Sequence, residues 1–588
     1  MQNFFTAPLE TLGKTACMMT GPMPPASAAG KATLSQIKAA QYYWYGLLRY
    51  TTAFLVPSAD AFHAFLNTEA TKIAEKTPAE NAYDYSQLFA RNLELAGDAM
   101  SGGLKALNDF FEDRLSRWFS AWLESCDNGE SLSNFASRLE EVLKLTAREY
   151  PKAVKAIKSE YGFHLDEGGY TKVAETERFS LYRVLPNRKD VTPRNKPILI
   201  VPPYVLGPNI LAFLPGEQRS YVHFFANQGI PTYIRLVKDI RTNPAVQTMT
   251  GEDDALDTKF FCRELAALHN RPVTLNGFCQ GGYLTLTALL SGELDGLVDA
   301  MITCVTPIDG SRSKSLTTYI NSLPERFRDL KYSLKRLPNG NEVVSGPILS
   351  WVYRLRKLET ESPIAAFHRD VDMFDNQPSL HPKIGKTAAA INQWLTYDQT
   401  DVPYHITKMS YDSYTIPIDK EGNLPVSLFG RKLNLKRIAE KKIPWLTCIA
   451  EGDDLVDSEA ALAALDHLGT QVEVCVFPKG HAAIATSWSI PTSQCALHLH
   501  FHPPQTPALG YCKTCRGPVC FQIDLDAALE AGQTRPPEGL PEETAEEQTQ
   551  PPPPLLLQAP EPPEGKAARK KKTGGRRPGK SKKTESDA

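Results

Sequence analysis

The sequence predicts an α/β protein: a parallel sheet covered on both faces, with a helical region before it and a tail after it. Three observations carry this. Short aliphatic and β-branched runs alternate with helical stretches from about residue 175 to 490. Ahead of them, apolar residues recur three and four apart. Behind them, the composition turns to proline and glutamate and then to lysine and arginine.

Residues 1–165 read as helical. The stretch from Gln41 to Phe54 is rich in aromatic and aliphatic residues, and Leu88, Phe89, Leu93, Leu107, Phe110, Phe111, Leu115, Trp118, Phe119 and Trp122 follow helical spacing. Such stripes fit a bundle or cap packed on a second domain. A surface for lipid or a hydrophobic polymer is the alternative. No apolar run approaches the about 18 residues of a membrane span, and the N-terminus has no basic-then-apolar pattern, so neither a transmembrane segment nor a signal peptide is expected. The odd count of eleven cysteines fits thiols kept reduced in a cytoplasmic setting.

Strands are expected at Pro197–Val201, Pro231–Leu236, Pro272–Asn276, Ala300–Val305, Ile443–Ala450 and Gln471–Phe477. The span between the fourth and fifth is too long for one connection and reads as an inserted lid at about 308–440. The α/β domain then covers 166–490. A Cys/His-containing extension follows over 491–530, and a disordered tail over 531–588. Cys495, His498, His500, His502, Cys512, Cys515 and Cys520 include one C-x-x-C pair but no paired framework, so no metal site is expected. The tail ends in Lys566–Lys583, with ten positive charges and no negative one, although the whole chain carries −2. A solvated end is the plain reading of that run. Nonspecific contact with nucleic-acid phosphates, or with an anionic surface, is the sharper one.

The chemistry centres on one turn. The strand Pro272–Asn276 runs into Gly277-Phe278-Cys279-Gln280-Gly281-Gly282, and a helix follows. Strand, G-x-C-x-G, helix is the nucleophile elbow of the α/β-hydrolase fold with cysteine in place of serine. The small residues let backbones pass closely around a strained nucleophile, and the helix N-terminus favours an anion there. The acid and histidine should follow in that order. Asp453, just past the strand ending at Ala450, and His481, just past the strand ending at Phe477, meet the requirement. Asp454 competes with Asp453, which is preferred because Leu455-Val456 then completes a D-x-x-V arrangement. The oxyanion donors should be the backbone N–H groups of Gln280 and Val205, since Pro202 and Pro203 cannot donate. A cysteine nucleophile forms a thioester nearly isoenergetic with a thioester substrate. Acyl transfer is then favoured over hydrolysis where a lid excludes water.

The stretch from Pro197 to Ala483 resembles the polyhydroxyalkanoate synthases. Ile198–Val205 is similar to the family's strand and PPW-I/V loop, with Tyr204 in place of Trp. Gly277–Gly282 resembles its G-[FY]-C-x-G-G box, and Trp394…Asp398…Thr400…Pro403 its W-x-x-D-x-T-x-x-P segment, adjusted by one residue. Leu433–Asp453 and Gly480-His481 resemble the approach to its acid and histidine. The resemblance implies polymerisation of (R)-3-hydroxyacyl-CoA into polyester with release of CoA, through a chain carried on Cys279, with His481 activating the thiol and Asp453 helping to activate the substrate hydroxyl. It implies no cofactor beyond the CoA thioester substrate. It also implies a cytoplasmic protein at polyester granules, working as a homodimer or with a second synthase subunit. The chain departs from the family after the acid, where Asp454-Leu455-Val456-Asp457-Ser458 replaces His-Ile-x-Pro-Trp, and it lacks the family's tryptophan-rich end. Those departures favour two rivals: a cysteine-type esterase or depolymerase on the same fold, and a non-catalytic granule-associated protein.

Overall fold

The computed structural model describes residues 26–124, 131–377, 379, 381–469, 472–490 and 493–495. The chain divides into two units, 1–549 and 550–588. The second unit lies outside the described residues, as do the expected basic tail and all of the Cys/His group except Cys495.

Two long helices open the described chain, α1 (Ala26–Lys72) and α2 (Pro78–Glu124), followed by α3 (Leu132–Lys144), whose first turn is capped by the Ser131 side chain accepting from the Asn134 N–H. The sheet is then built from β1 (Tyr170–Glu175), β2 (Phe179–Val184), β3 (Ile198–Val201), β4 (Thr232–Val237), β5 (Val273–Phe278), β6 (Val298–Cys304), β7 (Trp445–Ala450) and β8 (Val472–Phe477). Its eight strands lie in the order β1-β2-β4-β3-β5-β6-β7-β8. Pairs from β4 through β8 are parallel, while β1–β2 and β2–β4 are antiparallel. This is the α/β-hydrolase fold. The chain leaves β3 to one side for β4 and returns on the other for β5, so a crevice opens at the C-terminal ends of β3 and β5.

The six strands expected from the sequence are present, with ends shifted by at most two residues. The antiparallel pair β1 and β2 was not expected. β1 (YTKVAE) is mostly exposed along its length, so it carries no continuous apolar signal.

Local chemistry explains the two helices nearest the site. Helix α4 (Gly251–His269) starts at a capping box between Thr250 and Asp253, and stops where Asn270 turns left-handed. Helix α5 (Gln280–Ser291) is buried on every side. Its small hydroxyl residues bond back to their own helix: Thr285 donates to Gly281 C=O, Thr287 to Leu284 C=O and Ser291 to Ala288 C=O.

Between β6 and β7 lies the insertion, with α6 (Gly346–Leu355), α7 (Pro363–Asp375), α8 (Lys386–Tyr397) and α9 (Tyr404–Thr415), and two small antiparallel sheets that the sequence reading missed. One face of the N-terminal helices clasps it. The Tyr43 hydroxyl meets His368 Nε2 at 3.0 Å, His368 stacks on Phe110 at 4.4 Å, and Arg117 pairs with Asp375 at 2.7 Å. The other face leaves Trp44, Leu48, Phe62, Phe89, Leu93 and Met100 exposed. The helices therefore do pack as a cap, while keeping an apolar outer stripe.

A buried ion pair ties β4 to α4. Arg235 and Asp254 are 1% and 3% exposed and meet at 2.8 Å. Removing one member strands the other charge in the interior. Arg235→Met should destabilise the protein by about 3–5 kcal/mol, read as a lower urea midpoint.

Candidate active site

The crevice at the ends of β3 and β5 holds Cys279. Strand β5 delivers it at φ 51°, ψ −123°, a left-handed conformation that a non-glycine residue holds only under constraint. The surrounding glycines make the turn fit. A Cβ on Gly277 would overlap the Gly282 backbone, one on Gly281 the carbonyl of Val201, and one on Gly282 the Thr306 side chain. The turn is pinned by Cys279 N–H donating to Cys304 C=O at 2.8 Å and Gly282 N–H donating to Cys279 C=O at 2.9 Å. Among the described residues the other cysteines are buried, and Cys279 alone is partly accessible.

Asp453 and His481 converge on it from the ends of β7 and β8. Asp453 Oδ1 accepts the N–H groups of Leu455 (2.9 Å) and Val456 (3.0 Å), which fixes the carboxylate and turns Oδ2 toward the histidine. His481 Nδ1 donates to Oδ2 at 2.7 Å, with both side chains buried (7% and 2% exposed). The same ring hydrogen-bonds Cys279 and packs edge-on against Phe278. Burial alone would lower the imidazole's affinity for a proton. The Asp453 carboxylate and the Cys279 sulfur outweigh it, holding His481 well above its ordinary value. An imidazole so placed is oriented to act as the base for a nucleophile beside it.

Asp454 points elsewhere. Its carboxylate pairs with Lys357, and its carbonyl accepts from Arg356 at 2.6 Å. The choice between the two aspartates is therefore settled by the turn after β7: Asp453 faces the histidine.

The first N–H of α5 belongs to Gln280 and faces no intrahelical acceptor. Across the crevice the loop after β3 presents Val205. The two sides are joined where Tyr204 N–H donates to Gln280 Oε1 at 3.2 Å and Gln280 Nε2 to Ser410 Oγ at 2.9 Å. Both expected oxyanion donors thus sit on segments that touch, beside the nucleophile.

The insertion forms the facing wall. Tyr353, at the end of α6, and Tyr414, at the end of α9, lie near Cys279, and the Arg356 guanidinium lies near both phenols. Burial first, and then Cys279, pushes the Tyr353 phenol up to about 12; the Tyr414 phenol is raised well above its usual value. Neither side chain was singled out from the sequence, which marked the insertion as aromatic without saying which rings face the thiol. The Trp394–Pro403 segment is bonded to the loop after β3. Trp394 Nε1 donates to Leu206 C=O at 2.9 Å and Thr400 Oγ1 to Tyr204 C=O at 2.7 Å, so it braces the loop after β3. No group of three metal-type ligands occurs among the described residues.

No family model matches the chain, and no curated protein matches it. Solved structures do match part of it. A hypothetical protein from Pseudomonas aeruginosa is 15% identical, with 55% of this chain and 91% of that one covered, at a TM-score of 0.29. Naproxen esterase from Bacillus subtilis is 11% identical over 58% of this chain and 94% of its own, with a TM-score of 0.28. An α/β serine hydrolase homologue from Coxiella burnetii is 10% identical over 54% and 90%, with a TM-score of 0.27.

The asymmetry between neighbouring aspartates is measurable. In Asp453→Asn the His481 titration, followed by NMR, should move to lower pH than in the wild type, whereas Asp454→Asn should leave most of the elevation in place. The sign carries to stability. A raised histidine stabilises the fold fully below its unfolded value of about 6.5, and this is lost as pH rises through the folded value. Asp453→Asn should shrink that acid-side contribution in urea melts between pH 5 and 8.

Proposed function

We propose that this protein is a cysteine acyltransferase that polymerises (R)-3-hydroxyacyl-CoA into polyester with release of CoA. The carrying observation is the Cys279–His481–Asp453 array on the elbow of an α/β-hydrolase fold. The resemblance of the Ile198–Val205, Gly277–Gly282 and Trp394–Pro403 segments to the polyhydroxyalkanoate synthases supports the substrate class.

In this reading His481 Nε2 takes the Cys279 thiol proton as the sulfur attacks the thioester carbonyl. The tetrahedral oxyanion is held by the N–H groups of Gln280 and Val205. The C–S bond to CoA breaks, and the CoA thiolate leaves with the proton from His481. The acyl group now rests on Cys279 in a bond of about the same energy. The 3-hydroxyl of a second acyl-CoA then gives its proton to His481 and attacks the Cys279 thioester; the ester link forms, the C–S bond to Cys279 breaks, and His481 returns the proton to the sulfur. Asp453 steadies the imidazolium in both halves. The aromatic wall of Tyr353 and Tyr414 keeps the acyl-enzyme from bulk water, so an alcohol competes successfully for the carbonyl. The exposed apolar stripe of α1 and α2 suits a protein that works against a hydrophobic product.

The deciding assay follows CoA release from (R)-3-hydroxybutyryl-CoA with a thiol reagent, weighs insoluble polymer and titrates free hydroxy acid. CoA release with polymer is expected, with activity in Cys279→Ala reduced to background and activity in Asp453→Asn lowered about 10²–10⁴-fold. Release with free acid alone would make the protein a cysteine-type hydrolase. Release unchanged in Cys279→Ala would remove the nucleophile from this reading.

A further inference from the structure

The loop after β3 carries one of the two oxyanion donors, yet it contains no regular structure of its own. Its two prolines have no N–H to offer, so ladder bonds cannot hold it. Apart from one turn bond, from Gly207 N–H to Tyr204 C=O (3.3 Å), its backbone is tied from outside, group by group. Tyr204 N–H donates to Gln280 Oε1 (3.2 Å), and Tyr204 C=O accepts the Thr400 hydroxyl (2.7 Å). Val205 C=O accepts Thr400 N–H (3.3 Å), and Leu206 C=O accepts the Trp394 indole (2.9 Å). The Val205 N–H has no hydrogen-bond partner among the described residues.

The Tyr204 ring is fixed from the opposite side. Its hydroxyl donates to the Asp254 carboxylate, whose oxygens Arg235 Nη2 holds at 3.0 and 2.8 Å. Arg235 is itself locked by the Thr258 hydroxyl at 2.7 Å and by the Phe179 ring, 4.7 Å from its guanidinium carbon. Burial, and then the Asp254 charge, keep the Tyr204 phenol protonated far into the alkaline range, so it remains a donor. None of these groups touches the sulfur. All of them converge on the segment that presents Val205.

We propose that the Tyr204–Asp254–Arg235 chain, with Thr400 across the loop, is the positioning device that holds the Val205 N–H ready for the oxyanion, so that Tyr204 sets the rate at which Cys279 is acylated. The inference rests on Cys279 being the nucleophile. An oxyanion donor stabilises the transition state only if it is already in place when the charge develops, and losing one such donor costs about 10²–10³-fold in rate. Loosening a donor that stays nearby should cost less.

Two reactions of the same sulfur separate this role from general damage. Acylation by p-nitrophenyl butyrate builds an oxyanion; alkylation by iodoacetamide does not. In full-length Tyr204→Phe, which leaves the Arg235–Asp254 pair intact, single-turnover acylation should fall about 10–100-fold with KM nearly unchanged. Alkylation of Cys279, followed by mass spectrometry, should stay within about twofold. Thr400→Val should repeat the pattern from the other side of the loop, and carries the test if the first variant does not fold. Unchanged acylation in either folded variant, or acylation and alkylation falling together, would overturn the proposal. A wild-type protein that is alkylated at Cys279 but never acylated there would overturn the nucleophile assignment itself.

Discussion

One backbone constraint organises the molecule: Cys279 must be held in a left-handed conformation at the tip of β5. Nothing in the cysteine favours that geometry, so its surroundings have to impose it. Glycines on either side of the turn remove the Cβ atoms that would collide with Val201, Gly282 and Thr306. A buried helix begins immediately after, and β3 and β6 flank the strand in parallel register. In return the sulfur stands clear of the sheet, beside the free N–H groups of a helix start and within reach of a histidine. The same displacement in a relaxed turn would leave the side chain packed among its neighbours, as the five buried cysteines among the described residues are.

Much of this was legible in the sequence because it is local. The parallel strands are buried on both faces and therefore read as unbroken apolar runs. The elbow compresses strand, nucleophile, glycines and helix into ten residues, and the order of acid and histidine follows the strand order. The Asp453 preference also had a local cause, since Leu455 and Val456 supply the two N–H groups that hold its carboxylate. What escaped was either weakly patterned or distant. β1 lies at an antiparallel edge where exposure breaks the apolar run, and the run of β2 is interrupted by exposed Arg183. Tyr353 and Tyr414 reach the site only because helices of the insertion end there, a fact about packing that no spacing encodes.

The insertion and the N-terminal helices form a second layer of dependence. Arg114, Arg117 and Arg138 gather on Asp375, and Arg326 on Glu69, so charged groups knit the cap to the insertion while aromatic rings fill the space between. Removing one member of such a cluster exposes the others' charge to an apolar neighbourhood, which makes the interface specific as well as cohesive. The wall opposite Cys279 is thus held from behind by residues near the beginning of the chain.

The bracing of the loop after β3 has a consequence for how this chain matures. Tyr204 and Thr400 are 196 positions apart, and Leu206 and Trp394 are 188 apart. At a synthesis rate of roughly 5–20 residues per second, the loop waits on the order of ten to forty seconds for its braces to leave the ribosome. Asp453 and His481 arrive later still. A nascent chain therefore carries its thiol on a finished elbow well before it can polarise a carbonyl or move a proton. The three groups come together only late in synthesis, when contacts of very long range close. Until then the sulfur has neither its histidine partner nor a braced loop beside it.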